Sequence, residues 1–150
     1  MRQVNLTQRT ARMLRENLTS NKDGYDFLDL RKLDWIADKL EALQGPYGEK
    51  LAEMARLEKN TRRRFRKQEI KEEELLRILN DLRIDVEEMH EEADGVAVSV
   101  LLEDADWKLI KDKVDSVEKW SAADDVRKQI FQMLDAVTNA ETVEIEGNGK

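Results

Sequence analysis

The chain has 150 residues, of which 39% are charged, 40% are hydrophobic and only 5% are aromatic, and its formal net charge is -7. It contains one proline, six glycines and no cysteine. This composition argues against an all-β fold and excludes disulfides, thiolate metal sites and cysteine nucleophiles. We therefore expect a mainly α-helical protein. The lack of cysteine predicts a cytoplasmic location. No apolar run is long enough to cross a bilayer, so no membrane anchor is expected.

Residues 1–45 are predicted to form a helical lobe. A short extended start ends at Thr7, whose hydroxyl is suited to cap a first helix over roughly 7–19. Apolar residues then recur at helical spacing in a second helix that ends near Leu43. The segment 44–48 combines glycine and proline, so it marks a boundary.

Residues 46–94 are predicted to form one long helix, because neither glycine nor proline occurs between Glu49 and Asp94. Counting in sevens from Leu51 predicts a coiled-coil-like seam in its second half. The seam residues are Leu75, Leu79, Leu82, Val86 and Met89. Polar residues interrupt the first half, which disfavours a long parallel coiled coil.

The charge of this helix is divided along its length. From Glu49 to Lys67 there are eight basic and three acidic residues, whereas from Gln68 to Asp94 there are three basic and eleven acidic residues. Such a helix repels an in-register parallel copy and attracts an antiparallel partner. That partner is either a second copy or the same chain, folded back by a break around Lys67 to Ile70.

Residues 95–150 are predicted to form a strand–helix–helix lobe. The run 96–102 is rich in valine and follows a glycine, which is typical of a strand. Helical spacing returns over 103–118 and again behind a cap at Ser121.

A minor two- or three-stranded β-ribbon is expected to complete the fold. The alternating tail 141–146 is predicted to pair beside 96–102, and Val4 and Leu6 are candidates for a third strand. The predicted architecture is thus a pair of helical hairpin lobes around a long charged helix, within one compact domain. The strand–helix–helix order occurs on both sides of the central segment, as a faint internal repeat.

A basic cluster near the middle of the chain is the most conspicuous motif. It consists of Arg62, Arg63, Arg64, Phe65, Arg66 and Lys67. Five cations around one aromatic ring are suited to grip a phosphate backbone. The adjacent acidic segment favours a different interpretation, in which the arginines direct protein association.

The only histidine, His90, stands in a Glu87-x-x-His90 spacing that also occurs in carboxylate-bridged di-iron bundles. A di-iron site needs a second such motif, which only a symmetric dimer would supply. The alternative is a solvated histidine on an acidic helix face.

Two acidic motifs, Glu69-x-x-Glu72 and Glu91-x-x-Asp94, are separated by eighteen residues. This pattern resembles the paired motifs of the all-helical, MazG-like nucleotide pyrophosphohydrolases. The resemblance covers these four residues and implies carboxylates that hold magnesium on a nucleoside triphosphate. On one continuous helix the motifs would lie roughly 30 Å apart, too far to share a metal.

We therefore predict a non-enzymatic protein interaction or assembly module, of the kind found among adaptors and phage accessory proteins. Its partner is another protein or a second copy in an antiparallel dimer, and no cofactor is predicted. The alternatives are a nucleic-acid-associated protein that uses the basic cluster and a magnesium-dependent nucleotide pyrophosphohydrolase. Trp35, Trp107 and Trp120 are expected in the core or in a groove.

Overall fold

A computed structural model describes residues 1–19, 27–117, 120 and 124–144. The elements are β1 (Arg2–Thr7), α1 (Gln8–Thr19), α2 (Phe27–Ala42), α3 (Gly45–Arg66), α4 (Glu72–Asp94), β2 (Ala97–Leu102), α5 (Asp104–Asp115), α6 (Asp124–Thr138) and β3 (Glu141–Thr142). In the described ranges the fold is mainly α-helical with a three-stranded antiparallel sheet, as predicted. None of the described helices has the length and apolarity needed to span a bilayer.

The first strand lies in the middle of the sheet, whose order is β2-β1-β3. Val4 of β1 is opposite Val100 of β2. The predicted place of the tail was wrong, because β3 pairs with β1 and not with β2. The reason is the position at which α6 ends: Arg2 donates a hydrogen bond of 3.1 Å to the carbonyl of Ala140, so the chain after α6 arrives at the free edge of β1.

The start of α1 is capped as predicted. The hydroxyl of Thr7 accepts a hydrogen bond of 3.1 Å from the backbone N–H of Thr10, and the Thr10 hydroxyl accepts one of 2.8 Å from the N–H of Thr7. These reciprocal bonds satisfy two donors that a helix start leaves without partners. The second predicted cap, Ser121, lies outside the described residues.

The two ends of the chain share one hydrophobic core. The buried side chains from the first part are Val4, Leu6, Leu14, Leu18, Leu33, Ile36 and Leu40, and those from the last part are Val100, Leu102, Ile110, Val114, Met133 and Val137. The strand–helix–helix order noted in the sequence occurs in β1-α1-α2 and again in β2-α5-α6. The arrangement places the central segment, α3 and α4, outside this core.

The continuous helix predicted over 46–94 is a hairpin of two antiparallel helices, α3 and α4, which we call the arm. Helix α3 ends at a Schellman motif around Gln68, which has a φ of 62°. The N–H of Gln68 donates to Phe65 and that of Glu69 to Arg64, both at 2.9 Å. An ion pair of 3.6 Å between Arg64 and Glu69 closes the same turn. The chain thus folds back on itself between Lys67 and Ile70. This is the intramolecular alternative to a second copy that the divided charge left open.

The base of the arm is fixed to α1 by a buried glutamine. Gln44 donates to the carbonyl of Gln8 at 3.1 Å and accepts from Arg12 at 3.4 Å. A Cβ at Gly48 would lie 2.9 Å from the Cβ of Gln44, closer than side chains tolerate. A glycine is therefore needed where the arm leaves the body of the protein.

Candidate functional site

A groove of about 770 Å³ runs along the arm and is bounded by α1 at its base. Its apolar lining consists of Met13, Leu51, Met54, Ala55, Leu79, Leu82, Val86 and Val126. On α3 the lining extends from Tyr47 to Arg62. At 1.5 Å per residue this is roughly 22 Å, or about four helical turns. The groove is thus long enough to hold a helix.

The groove exists because two helices cannot cover the full apolar width of the arm. Of the predicted seam residues, Leu75 and Met89 are buried, and so they are not part of the exposed surface. Leu79, Leu82 and Val86 are only half-buried and line the groove. A helix with a wide apolar stripe needs neighbours on more than one side. These three side chains therefore offer a site for a further helix.

The rim of the groove carries balanced charge. Each wall contributes one i,i+4 ion pair: Arg12–Glu16 on α1 at 3.2 Å, Arg62–Glu58 on α3 at 3.1 Å and Arg83–Glu87 on α4 at 2.8 Å. Exposed pairs of this kind contribute only about 0–1 kcal/mol each to stability. Their effect here is to neutralise the arginines beside the apolar floor, which suits a protein helix better than a phosphate chain.

A polar pair lines the groove at the base of the arm. The hydroxyl of Tyr47 lies 2.8 Å from Nδ1 of His90. Burial lowers the pKa of His90, and the charge of Arg9 lowers it further. Burial also raises the pKa of Tyr47, so both groups are neutral near pH 7. His90 is therefore half-buried in the groove and bonded to Tyr47, and not the fully solvated histidine that was predicted, because α3 folds back beside it.

The basic cluster lies at the last turn of α3, at the tip of the arm. Only Arg62 lines the groove, and its guanidinium is paired with Glu58. Arg63 bonds to Asn60 at 3.3 Å, and Arg64 pairs with Glu69. The other cluster members, Phe65, Arg66 and Lys67, are exposed at the tip. The structure thus divides the cluster between the rim of the groove and the end of the arm.

The two acidic motifs do not meet in the structure. Glu69 lies in the hairpin turn and Glu72 begins α4, whereas Glu91 and Asp94 lie in its last turn. Glu72 and Glu91 are nineteen residues apart on one helix, or roughly 29 Å. Asp94 is held by Arg9 at 3.2 Å and by Gln129 at 3.0 Å. Among the described residues no cluster of three or more histidines and carboxylates is arranged to hold a metal ion.

Sequence reasoning missed the wall that α1 adds to the groove and the partner of His90. Tyr47, Leu51 and Met54 follow one another at helical spacing, and this signal could have predicted the α3 wall. Arg9 and Arg12 line the groove only because α1 packs against the arm, and no local sequence pattern encodes that packing.

Comparisons of the chain with protein-family models, with curated protein sequences and with solved structures gave no match. The function therefore has to be inferred from the geometry of the groove and the arm.

Proposed function

We propose that the protein is a non-enzymatic assembly module in which the arm of one copy docks antiparallel against the groove of a second copy. The observation that supports it best is the strip of half-buried Leu79, Leu82 and Val86 between walls of neutralised charge. A two-fold axis would let the same strip serve both copies, as in most homodimers. We place this assembly in the cytoplasm, in keeping with a chain that lacks cysteine.

The charge along the arm favours an antiparallel arrangement. The tip, residues 60–74, has six basic and four acidic residues. The base, residues 47–53 and 84–94, has one basic and eight acidic residues. Antiparallel docking places each basic tip on an acidic base, whereas parallel docking places the two acidic bases together. Attraction at both ends thus specifies the direction.

The apolar strip continues towards the tip beyond the groove itself. Leu76 stands one turn before Leu79 on α4 and is 59% exposed. On α3, Phe65 stands one turn after Arg62 and is 37% exposed. Both side chains therefore add exposed apolar surface near the tip of the arm. In the proposed dimer these residues pack near the base of the other copy.

Light scattering at several protein and salt concentrations tests the proposal. We expect a dimer that weakens as the salt concentration rises, because the tip-to-base attraction is screened. Reversing the tip in Arg66→Glu/Lys67→Glu should weaken the dimer, and so should reversing the base in Glu49→Lys/Glu88→Lys/Glu91→Lys/Glu92→Lys, which leaves the base with five basic and four acidic residues. A Lys108→Glu/Lys128→Glu variant, altered at exposed positions outside the arm, is the matched control and should dimerise as the native chain does.

Mixing the two arm variants makes the test specific. In an antiparallel heterodimer the acidic tip of the first variant meets the basic base of the second, and the native basic tip of the second meets the native acidic base of the first, so mixing should restore dimerisation. A native chain that is monomeric at every concentration would overturn the proposal. Salt-sensitive binding of DNA or RNA by that monomer, lost on reversing the tip, would support the nucleic-acid alternative instead.

A further inference from the structure

The outward side of α2 carries a stripe of residues that the groove does not use. Leu28, Lys32, Trp35 and Lys39 follow one another at i, i+4, i+7 and i+11, so they lie in one line on the helix. Leu28 is 72% exposed and Trp35 is 52% exposed. The expectation that Trp35 lies in the core or in a groove was therefore wrong.

The stripe is exposed because the other side of α2 is committed to the core. Leu33, Ile36 and Leu40 are buried there, which fixes the rotation of the helix about its axis. Trp107 differs from Trp35, because its indole N–H donates to the carbonyl of Val137 at 2.8 Å and its ring packs on the core. Trp35 is instead held from the solvent side, where the Lys39 ammonium lies 3.8 Å from the ring centre.

The charge of this stripe is opposite to that of the whole chain. Lys32 and Lys39 alternate with the two apolar residues, while the formal net charge of the chain is -7. By the helical period, Asp34 and Glu41 are turned roughly 100° or more away from Trp35, and the exposed Asp38 lies roughly 60° from Trp35 on the side opposite to Lys32 and Lys39. Glu41 is engaged elsewhere, in an ion pair of 3.1 Å with Arg15 of α1. The stripe therefore presents positive charge and apolar surface together.

We propose that this stripe is a docking site for an acidic amphipathic helix of a protein partner. Apolar side chains of the partner would cover Leu28 and Trp35, and its carboxylates would pair with Lys32 and Lys39. Tryptophan is among the residue types that most often dominate the binding energy at protein interfaces. The site does not depend on dimerisation through the arm.

Two other occupants fit the stripe less well. A membrane surface would receive only the two apolar side chains of the stripe, since Leu33, Ile36 and Leu40 are buried and the exposed Leu30 is turned roughly 140° away from Trp35, and so few insert weakly. A nucleic acid would meet the negative field of the whole protein. A protein helix satisfies both the apolar and the charged members of the stripe.

The emission of Trp35 gives a direct test with the full-length native chain. The probe is a synthetic helical peptide with leucine and glutamate alternating along one face, and its control is the same peptide with lysine for glutamate. We expect saturable binding of the acidic peptide, with a blue shift of the tryptophan emission that is absent in Trp35→Phe. The lysine peptide should bind at least about tenfold more weakly.

Reversing the charges of the two lysines in the stripe distinguishes binding at this site from binding at another basic surface. Lys32→Glu/Lys39→Glu should lose the acidic peptide by at least about tenfold and gain the lysine peptide, while Lys108→Glu/Lys128→Glu should bind as the native chain does. Thermal melting of each variant controls for folding. The proposal would be overturned by the absence of saturable binding at about millimolar peptide, or by unchanged binding of the peptide to Lys32→Glu/Lys39→Glu. A blue shift with anionic phospholipid vesicles but not with the acidic peptide would also overturn it.

Discussion

Tyr47 and His90 join the two helices of the arm at its base, with the hydroxyl 2.8 Å from Nδ1 and the rings edge to face at a centroid distance of 6.1 Å. Tyr47 belongs to a small buried cluster with Leu51, Met89 and Ala93. This cluster holds α3 against α4 at the base of the arm. The shape of the groove therefore depends on the same contacts that fold the arm.

Lowering the pH should destabilise this end of the arm. Burial lowers the pKa of His90, so the unfolded chain binds a proton at a higher pH than the folded chain does. The free energy of unfolding is then unaffected by His90 at neutral pH and falls as the pH drops from about 6.5 to the lower pKa of the folded state. Thermal melts between pH 8 and 5 should show a larger loss for the native chain than for His90→Gln. Parallel pH profiles would contradict this account.

Raising the pH should act through Tyr47. Its pKa is raised by burial, so the unfolded chain loses the phenolic proton first, and stability should fall above about pH 10. Tyr47→Phe removes this dependence and, at pH 7, should cost about 1 kcal/mol for the lost hydrogen bond. Urea unfolding at pH 7 and pH 10.5 measures both effects. A Tyr47→Phe variant that loses as much stability as the native chain between these pH values would argue against the assignment.

The hairpin turn offers a stabilising substitution. Gln68 has a φ of 62°, a conformation that costs a residue with a Cβ about 1–2 kcal/mol. Gln68→Gly should therefore raise the free energy of unfolding by about 0.5–1 kcal/mol, after allowance for the greater freedom of glycine in the unfolded chain. Urea unfolding is the measurement, with Gln68→Ala as a control that keeps the strain. A less stable Gln68→Gly would contradict the Schellman geometry.

Adding a methyl group at the base of the arm should lower the free energy of unfolding. Gly48→Ala places a Cβ 2.9 Å from that of Gln44, and overpacking of this kind typically costs about 1–3 kcal/mol. Gly95→Ala is the matched control, because its Cβ would lie 3.7 Å from the nearest atom, the carbonyl oxygen of Glu92. We expect faster amide exchange at the start of α3 in Gly48→Ala only. Equal exchange in the two variants would show that the base tolerates the methyl group.

The apolar strip can be tested apart from charge complementarity. Leu79→Glu places a carboxylate on the half-buried floor of the groove and should abolish the proposed dimer with little loss of monomer stability. Leu57→Glu is the control, since Leu57 is 46% exposed on α3 and is not among the groove residues. Sedimentation at several concentrations compares the two. Loss of the dimer in both variants would indicate a contact surface other than the groove.

Much of the fold could be predicted from local patterns. The helical spacing of Leu14 and Leu18, the cap at Thr7 and the valine-rich run at 96–102 each correspond to an element in the structure. These features could be predicted because propensity, periodicity and capping are encoded within a few neighbouring residues.

The hairpin and the groove could not be predicted to the same extent. The chain turns at Gln68, a residue that rarely adopts a positive φ, so the usual glycine signal is missing. The Tyr47–His90 pair and the exposure of Trp35 follow from which faces the tertiary packing covers. The division of charge between Glu49 and Asp94 predicted an antiparallel partner for the helix. It did not show that this partner belongs to the same chain.

The central position of β1 in the sheet has a consequence for the order in which the chain folds. Leu6 is opposite Val98 and Arg2 is opposite Thr142, so β1 can pair with its neighbours only after the residues that follow α4 have been synthesised. The arm, by contrast, closes through a turn of a few residues between α3 and α4. Contacts that are close in sequence form faster than distant ones. We therefore expect the arm to form before β1 pairs with β2 and β3.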